Sequence, residues 1–251
     1  MSGHSKWAGI KHKKALIDAK RGKLFSKLNK EITVAAKTGG ANLTANPSLR
    51  LAVARAKEAN VPNENIERAI KKGTGELPGV SYEQVNYEGY GPGGTAIVVE
   101  ALTDNKNRTT AEVRNIFTKK GGNLAGAGSV NWLFHKKGFI VVNKSKAEED
   151  KLMSVAIESG AEDLKTEEDS YEIITGIKDY EKVRAALKEN RIEWEAAELT
   201  MIPSSYVKLQ GAQAEQVLNL VETLEDHDDV QNVYANFDIP DEILQQHTEK
   251  T

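Results

Sequence analysis

Hydrophobic residues recur every three or four positions in three stretches of the first 75 residues, which predicts three amphipathic helices. The first helix is expected from Gly22 to Lys37, the second from Asn46-Pro47 to about Ala59, and the third from Pro62 to a stop at Gly73. Asn46 and Pro47 are the residue types of a helix N-cap and a first-turn proline. The inward positions of the second helix are expected to be Leu49, Ala52, Val53 and Ala56.

Beyond residue 80, short runs rich in β-branched residues alternate with amphipathic stretches. The predicted strands are 95–102, 129–134, 138–143, 161–168, 170–176, 193–202, 205–209 and 230–237. The predicted helices are 109–120, 146–159, 179–190 and 213–226. Between 138 and 202 the order is β-α-β-β-α-β, the split ferredoxin-like pattern. The elements on either side of that segment complete a second β-α-β-β-α-β unit.

This order of elements predicts an α+β protein, with an N-terminal three-helix domain followed by two ferredoxin-like βαββαβ domains, one inserted in the other. We expect a basic N-terminal arm and helical domain at 1–79. A stretch rich in glycine and proline marks the end of this domain. The first α/β domain is expected at 80–134 plus 204–251, and the inserted acidic domain at 135–203.

Charge is sorted along the chain, although the net charge is only -3. Residues 1–75 carry 16 Lys and Arg against 5 Asp and Glu, whereas residues 145–251 carry 10 against 26. A basic segment on an acidic protein is typical of binding to a polyanion, most often a nucleic acid. The N-terminal domain is therefore the predicted contact surface.

Twelve residues of this basic segment are the candidate nucleic-acid contacts. Lysines neutralise phosphates without a fixed geometry, and Trp7 is interpreted either as a stacking residue for a base or as an anchor in the domain's own core. A solvated cationic helix face is the alternative interpretation of the lysines. The candidates are Lys6, Trp7, Lys11, His12, Lys13, Lys14, Lys20, Arg21, Lys23, Lys27, Lys71 and Lys72.

Motifs for catalysis or metal binding do not emerge from the sequence. The glycine-rich segment 89–94 precedes a strand and lacks a closing Gly-Lys-Ser/Thr, so it is expected to be a tight turn with Tyr87 and Tyr90 packed beside it. The chain has no cysteine, and its histidines are scattered. No catalytic residue, metal site or cofactor is expected. The acidic segment 225–229 is interpreted as an exposed turn at a helix end, with cation binding left open.

Hydrophobic runs also fall short of the roughly 20 residues of a membrane span, and the basic N-terminus lacks the apolar core of a secretory signal. We therefore expect a soluble cytoplasmic protein without a membrane partner. A monomer is expected, with weak self-association left open.

Several motifs resemble those of the YebC family. They include Gly-His-Ser-Lys-Trp at 3–7 and Tyr-Glu-Gly-Tyr-Gly-Pro-Gly-Gly at 87–94. The other matching segments are 10–14, 18–23, 31–36, 46–47, 65–73, 100–105, 121–124 and 228–234. Two positions depart from the family pattern, since Gly9 stands where Asn is common and Ser48 where a basic residue is usual. The second departure removes one possible phosphate contact.

The resemblance implies a helical domain followed by two α/β domains, and a regulator of gene expression. Members of this family are described as DNA-binding transcriptional regulators, and a mitochondrial relative as a translational activator for cytochrome c oxidase subunit I. Others resemble ribosome-associated factors that relieve stalling at proline-rich stretches. The implied partner is thus DNA, or rRNA and tRNA on the ribosome. The sequence has no evident base-reading helix, which favours RNA.

Two other functions are left open. One is a nucleic-acid-processing enzyme that uses His4 or His12 near Asp18 or Glu31 as acid or base. The other is a protein-interaction scaffold that acts through the acidic domains. We expect neither, and predict a binding protein that is not an enzyme.

Overall fold

The N-terminal part of the chain is a bundle of three helices. The computed structural model describes residues 18–250. Helices α1 (Asp18–Gly39), α2 (Pro47–Glu58) and α3 (Asn63–Thr74) confirm the three predicted helices. Asn46 caps α2, because its Oδ1 accepts a hydrogen bond of 3.0 Å from the Leu49 N–H. The four residues predicted to face inward from α2 are all buried.

Gly73 does not end the third helix, contrary to the prediction. The helix continues to Thr74, and Gly75, at φ +82°, is the left-handed residue that ends it. Gly73 instead lies where α3 crosses α1. A Cβ atom at this position would lie 2.7 Å from the Cβ of Ala36. The glycine is therefore required for the close approach of the two helices.

The rest of the described chain contains ten strands and five further α-helices. In chain order they are β1 (Glu83–Tyr90), β2 (Ala96–Thr103), α4 (Lys106–Lys119), β3 (Asn123–Ala125), β4 (Phe134–Asn143), α5 (Glu149–Ser159), β5 (Ala161–Thr166), β6 (Ser170–Thr175), α6 (Tyr180–Glu189), β7 (Ala196–Pro203), β8 (Val207–Lys208), α7 (Gly211–Glu225), β9 (Val230–Ala235), β10 (Phe237–Asp238) and α8 (Asp241–Lys250). The protein is thus α+β, as predicted.

The segment from β4 to β7 forms a four-stranded sheet with the order β5-β6-β4-β7. All its neighbouring strands are antiparallel, and β6 separates the two strands that α5 connects. This is the split ferredoxin-like arrangement that the element order predicts. Helices α5 and α6 cover one face, with Leu152, Val183 and Leu187 fully buried.

The other four-stranded sheet has the order β3-β1-β2-β9, and its pairs are also antiparallel. The predicted strand 205–209 is wrong as a member of this sheet, because Val207 pairs in parallel with Phe237 in a separate two-stranded ladder. Strand β1 takes one of the two central places instead, beside β2. The prediction had read part of it as a turn because of its glycines. Gly89 lies within this strand, where a Cβ would lie 2.6 Å from the carbonyl oxygen of Asn123.

The predicted strand 129–134 is also wrong, because Asn131–Leu133 is a short 3-10 helix and β4 begins at Phe134. The tight turn expected in the glycine-rich segment lies just after β1, where Pro92–Gly94 form another 3-10 helix. One face of the first sheet packs on α4 and α7. On its other face, Ala96 and Val98 pack with Phe134 and Met201. The inserted segment therefore shares an apolar cluster with the sheet that flanks it in sequence.

Candidate nucleic-acid interface

Half of the predicted contact residues can be located in the structure with their side chains or backbone. Lys6, Trp7, Lys11, His12, Lys13 and Lys14 lie outside the described residues. Lys20 belongs to the first turn of α1. Arg21 is exposed on the same helix, and its guanidinium lies 5.8 Å from the ring centroid of Phe25. The remaining four divide between two different surfaces.

Lys23 and Lys27 lie on one face of α1 together with Lys30, because they are spaced by four and three residues. Their ammonium groups contact the turn that follows α7. The Nζ of Lys23 donates to the carbonyl oxygen of Asp226 at 3.0 Å, and the Nζ of Lys27 to that of Glu225 at 2.6 Å. Carbonyl groups at a helix C-terminus lack intrahelical donors and carry partial negative charge. This face of α1 is thus bound to the body of the protein.

Lys30 completes the contact through Asp229. Its Nζ donates to Oδ1 of Asp229 at 2.7 Å and to the carbonyl oxygen of Asp228 at 3.0 Å. The other carboxylate oxygen of Asp229 accepts from Arg108 Nη2 at 2.7 Å and from Thr109 Oγ1 at 2.8 Å. The Asp229 side chain is only 7% exposed. The interpretation of 225–229 as an exposed turn is therefore wrong for Asp229.

Burial of Asp229 acts to raise its pKa, but the hydrogen bonds from Lys30, Arg108 and Thr109 outweigh burial and hold the pKa well below its ordinary value. The hydrogen bonds to Asp229 and Asp104 likewise raise the pKa of Arg108. Both groups are therefore charged at neutral pH. We call the set of Lys30, Arg108, Thr109 and Asp229 the junction network.

His227 and Glu112 adjoin the junction network. The Nε2 of His227 lies 2.9 Å from a carboxylate oxygen of Glu112, and its Nδ1 accepts from the N–H of Asp229 at 3.1 Å. Potential ligand atoms of Glu112, His227 and Asp229 lie within 4.8 Å of one another. The carboxylate of Asp229 is already neutralised by Lys30 and Arg108, and both ring nitrogens of His227 have protein partners. Each of the three potential ligand groups thus already has a partner within the protein.

Lys71 and Lys72 are exposed in the last turn of α3, on a second surface. Lys72 lines a groove between α1 and α3 with a volume of about 550 Å³. The segment 78–82, which follows α3, forms its third wall. We call this the α1–α3 groove. Its polar lining residues, beyond Lys72, are Ser26, Asn29, Lys30, Thr33, Asn65, Arg68 and Tyr82.

Sequence reasoning missed most of these groove residues, although a signal for them exists. The lining positions 26, 29, 30 and 33 of α1, and 65, 68, 69 and 72 of α3, each follow the spacing of one helix face. The predicted contacts include Lys71 and Lys72 but omit Arg68, which is also cationic, and the uncharged Asn29 and Asn65. The pairing of the two faces depends on how α1 and α3 pack, which the sequence did not reveal.

A third surface feature is the loop 126–132, which Glu88 organises from within. The Glu88 carboxylate accepts from the backbone N–H groups of Gly128, Val130 and Asn131 at 2.7–2.8 Å. Burial acts to raise the pKa of Glu88, but these hydrogen bonds outweigh burial and lower it. The loop holds Trp132, a residue that is 67% exposed.

Tyr90 and Trp132 share a partner in this loop. The indole N–H of Trp132 donates to the carbonyl oxygen of Ser129 at 3.1 Å, and the Tyr90 hydroxyl donates to the same oxygen at 3.2 Å. Tyr90 is also exposed, whereas Tyr87 is buried. Both tyrosines lie in β1. The expectation that both are packed is therefore correct for Tyr87 and wrong for Tyr90.

Within residues 18–250, no helix combines the length and the apolar character that crossing a membrane requires.

Comparison with known proteins accounts for nearly the whole chain. Residues 5–76 match the family model described as TACO1/YebC protein N-terminal domain, and residues 82–237 match that of the TACO1/YebC second and third domain. A probable transcriptional regulatory protein of Dictyoglomus turgidum is 61% identical, over 98% of this chain and 99% of its own length. One of Syntrophobacter fumaroxidans with the same name is 58% identical, over 97% of this chain and 98% of its own.

A solved structure agrees with these matches. The crystal structure of a conserved hypothetical protein from Aquifex aeolicus is similar with a TM-score of 0.80 and 51% sequence identity, covering 92% of this chain and 96% of that one. Motifs, domain matches and the common fold therefore agree, and the chain belongs to the TACO1/YebC family.

Proposed function

We propose that this protein is a regulator of gene expression that binds nucleic acid through its N-terminal helical domain. The observation that carries the proposal is the excess of 11 positive charges in residues 1–75 of a chain whose net charge is -3. The names of its relatives, probable transcriptional regulatory proteins, support the same role. In this proposal the protein acts by binding, without catalysis, and is located in the cytoplasm.

The distribution of the described cations supports a division of labour within this domain. Lys23, Lys27 and Lys30 are bound to the turn after α7 and fix the domain on the body of the protein. Lys71 and Lys72 are exposed and remain available for an anion on another side. Together with the basic residues that precede α1, they form the contact surface in this proposal.

The target that we favour is RNA within the translation apparatus, since the sequence lacks an evident base-reading helix. Folded RNA is recognised largely by shape and backbone, to which mobile lysine side chains adapt. The action would then be relief of ribosome stalling at proline-rich stretches. DNA binding at promoters is the alternative that the relatives' names favour.

Salt titration of binding tests the proposal. Each phosphate that the protein neutralises contributes about -0.9 for duplex DNA, or about -0.7 for single strands, to the slope of log K against log salt. We expect a steep slope for the full chain, and a shallower one for Lys71→Glu/Lys72→Glu. Lys178→Glu/Lys182→Glu, with the same charge change on exposed positions of the inserted segment, is the matched control. Affinities that do not depend on salt would contradict the proposal.

Crosslinking in cells, followed by sequencing of the bound nucleic acid, separates the two targets. Recovery of ribosomal and transfer RNA would establish action in translation. Recovery of discrete promoter fragments would establish transcriptional control and overturn the choice of RNA.

A further inference from the structure

We infer that the α1–α3 groove binds single-stranded RNA, with a backbone phosphate at Lys72 and Arg68 and a ribose 2′-hydroxyl at Asn29. This inference rests on the proposed function and assigns it a specific site. The groove has a volume of about 550 Å³, within the range of about 300–1,000 Å³ common for small-ligand sites. Its polar residues converge from two helices whose packing is fixed by Gly73.

The cationic side of the groove lies on α3. Lys72 is exposed, and its ammonium has no hydrogen bond or ion pair to another residue within 18–250. Arg68 contacts Glu64 through Nη2 at 3.0 Å, and the two side chains are 56% and 81% exposed. An exposed pair of this kind exchanges readily, and a guanidinium has further N–H donors for a phosphate.

Lys30 also lines the groove but serves a different purpose. Its ammonium is bound to Asp229 and lies 5.4 Å from the ring centroid of Tyr82. Its charge is therefore neutralised within the protein, and the phosphate site is confined to the α3 side. This places an anion near Lys72, away from the carboxylate of Asp229.

The α1 side of the groove offers a hydrogen-bond acceptor, which needs a hydrogen-bond donor from the ligand. A backbone phosphate has no such donor. Within the part of the chain that the structure describes, the Oδ1 atom of Asn29 is buried and has no hydrogen-bond partner. A buried acceptor without a partner is unfavourable. The oxygen is closed to solvent, but the Asn29 side chain is partly exposed and lines the groove, so a turn of its amide brings Oδ1 to a ligand hydroxyl that restores the missing hydrogen bond. In RNA the 2′-hydroxyl is on the ribose carbon next to the one that carries the 3′ phosphate, and DNA lacks this hydroxyl. The combination of cations and an orphan acceptor therefore favours RNA over DNA.

Fluorescence anisotropy with the full chain tests this assignment. The probes are a labelled twelve-nucleotide single-stranded RNA and a DNA of the same base sequence. We expect the wild type to prefer RNA by about tenfold, the effect of one hydrogen bond at a buried site. Asn29→Leu should abolish that preference. Lys72→Ala should weaken RNA binding several-fold and reduce the salt slope by about 0.7.

Lys57→Ala is the matched control, because Lys57 is an exposed lysine of α2 outside the groove. It should leave the preference for RNA over DNA unchanged. Circular dichroism of each variant establishes that the helices are retained, and Lys72→Ala, at an exposed position, tests the groove without disturbing the core.

The outcomes distinguish the groove from the proposed function. If the wild type binds RNA and DNA equally, or if Asn29→Leu and Lys72→Ala behave like Lys57→Ala while binding remains salt-dependent, the groove assignment is wrong and the proposed function stands. If the wild type binds neither probe and no rRNA, the proposed function fails, and the groove assignment fails with it.

Discussion

The Nζ of Lys30 lies 2.7 Å from Oδ1 of Asp229, and the two residues are 199 positions apart in the chain. Their side chains are 16% and 7% exposed, so the ion pair is largely removed from water. Arg108 contacts the second oxygen of the same carboxylate from α4. The carboxylate of Asp229 thus joins three parts of the protein: helix α1, helix α4 and the turn after α7.

Replacing Asp229 with alanine should destabilise the attachment of α1 to the body of the protein. The change leaves the largely buried Lys30 ammonium without its carboxylate, and breaking such a pair costs about 3 kcal/mol. The free energy of unfolding, from urea titration followed by circular dichroism, measures the effect. Hydrogen exchange of α1 amides should accelerate in the same variant.

Asp228→Ala is the control for this change. It removes an exposed neighbouring carboxylate but retains the carbonyl oxygen that accepts from Lys30. We expect its free energy of unfolding to stay within about 0.5 kcal/mol of the wild type. Equal losses in the two variants would show that the network does not contribute specifically.

Acid should remove the stabilisation that Asp229 supplies. Its pKa is lower in the folded protein than the ordinary value of 3.8. The contribution is therefore complete above about pH 5 and is lost as the pH falls through and below 4. We expect the difference in free energy of unfolding between wild type and Asp229→Asn to be largest near about pH 6 and to shrink towards about pH 2.5. A difference that stays constant over this range would contradict the argument.

Glu88→Gln should loosen the loop that carries Trp132. The neutral amide is a weaker acceptor than the carboxylate for the three backbone N–H groups, and one of its two ends is a donor that faces them. The expected cost is about 1–3 kcal/mol. Protease cleavage within 126–131 should become faster. Glu83→Gln, an exposed glutamate of the same strand, is the control and should leave the cleavage rate unchanged.

The helical domain was predictable from the sequence because its signals are local. Apolar spacing gives the three helices, and the Asn46-Pro47 pair gives the start of α2 to the residue. The inserted α/β segment was predictable for the same reason. The first sheet was not, because β1, one of its two central strands, contains Gly89 and lies between strands that the chain reaches later. Its place depends on pairing over long sequence separations, which periodicity does not encode.

The candidate site was likewise predictable only in its local features. The excess of positive charge in the N-terminal domain was evident from the sequence, whereas the allocation of those charges was not. Lys23 and Lys27 were predicted contacts, yet their ammonium groups meet carbonyl oxygens of Asp226 and Glu225 some 200 residues away. Whether they also meet nucleic acid stays a prediction. Asn29 could not be selected from the sequence, because what distinguishes it is a side-chain oxygen without a hydrogen-bond partner in the folded protein.

Gly22 and Gly73 both lie inside helices of the N-terminal domain, but alanine should have opposite effects at the two positions. At Gly22 an added Cβ meets no atom within 4 Å, so Gly22→Ala should stabilise the helix by about 0.5–1 kcal/mol through its higher helix propensity. At Gly73 the added Cβ would collide with the Thr33 carbonyl and lie 2.7 Å from the Ala36 Cβ. Since backbone must shift to admit it, Gly73→Ala should destabilise the domain by about 1–3 kcal/mol. Thermal melts of the two variants, followed by circular dichroism, should therefore move in opposite directions, and a stabilised Gly73→Ala would show that α1 and α3 are not in close contact.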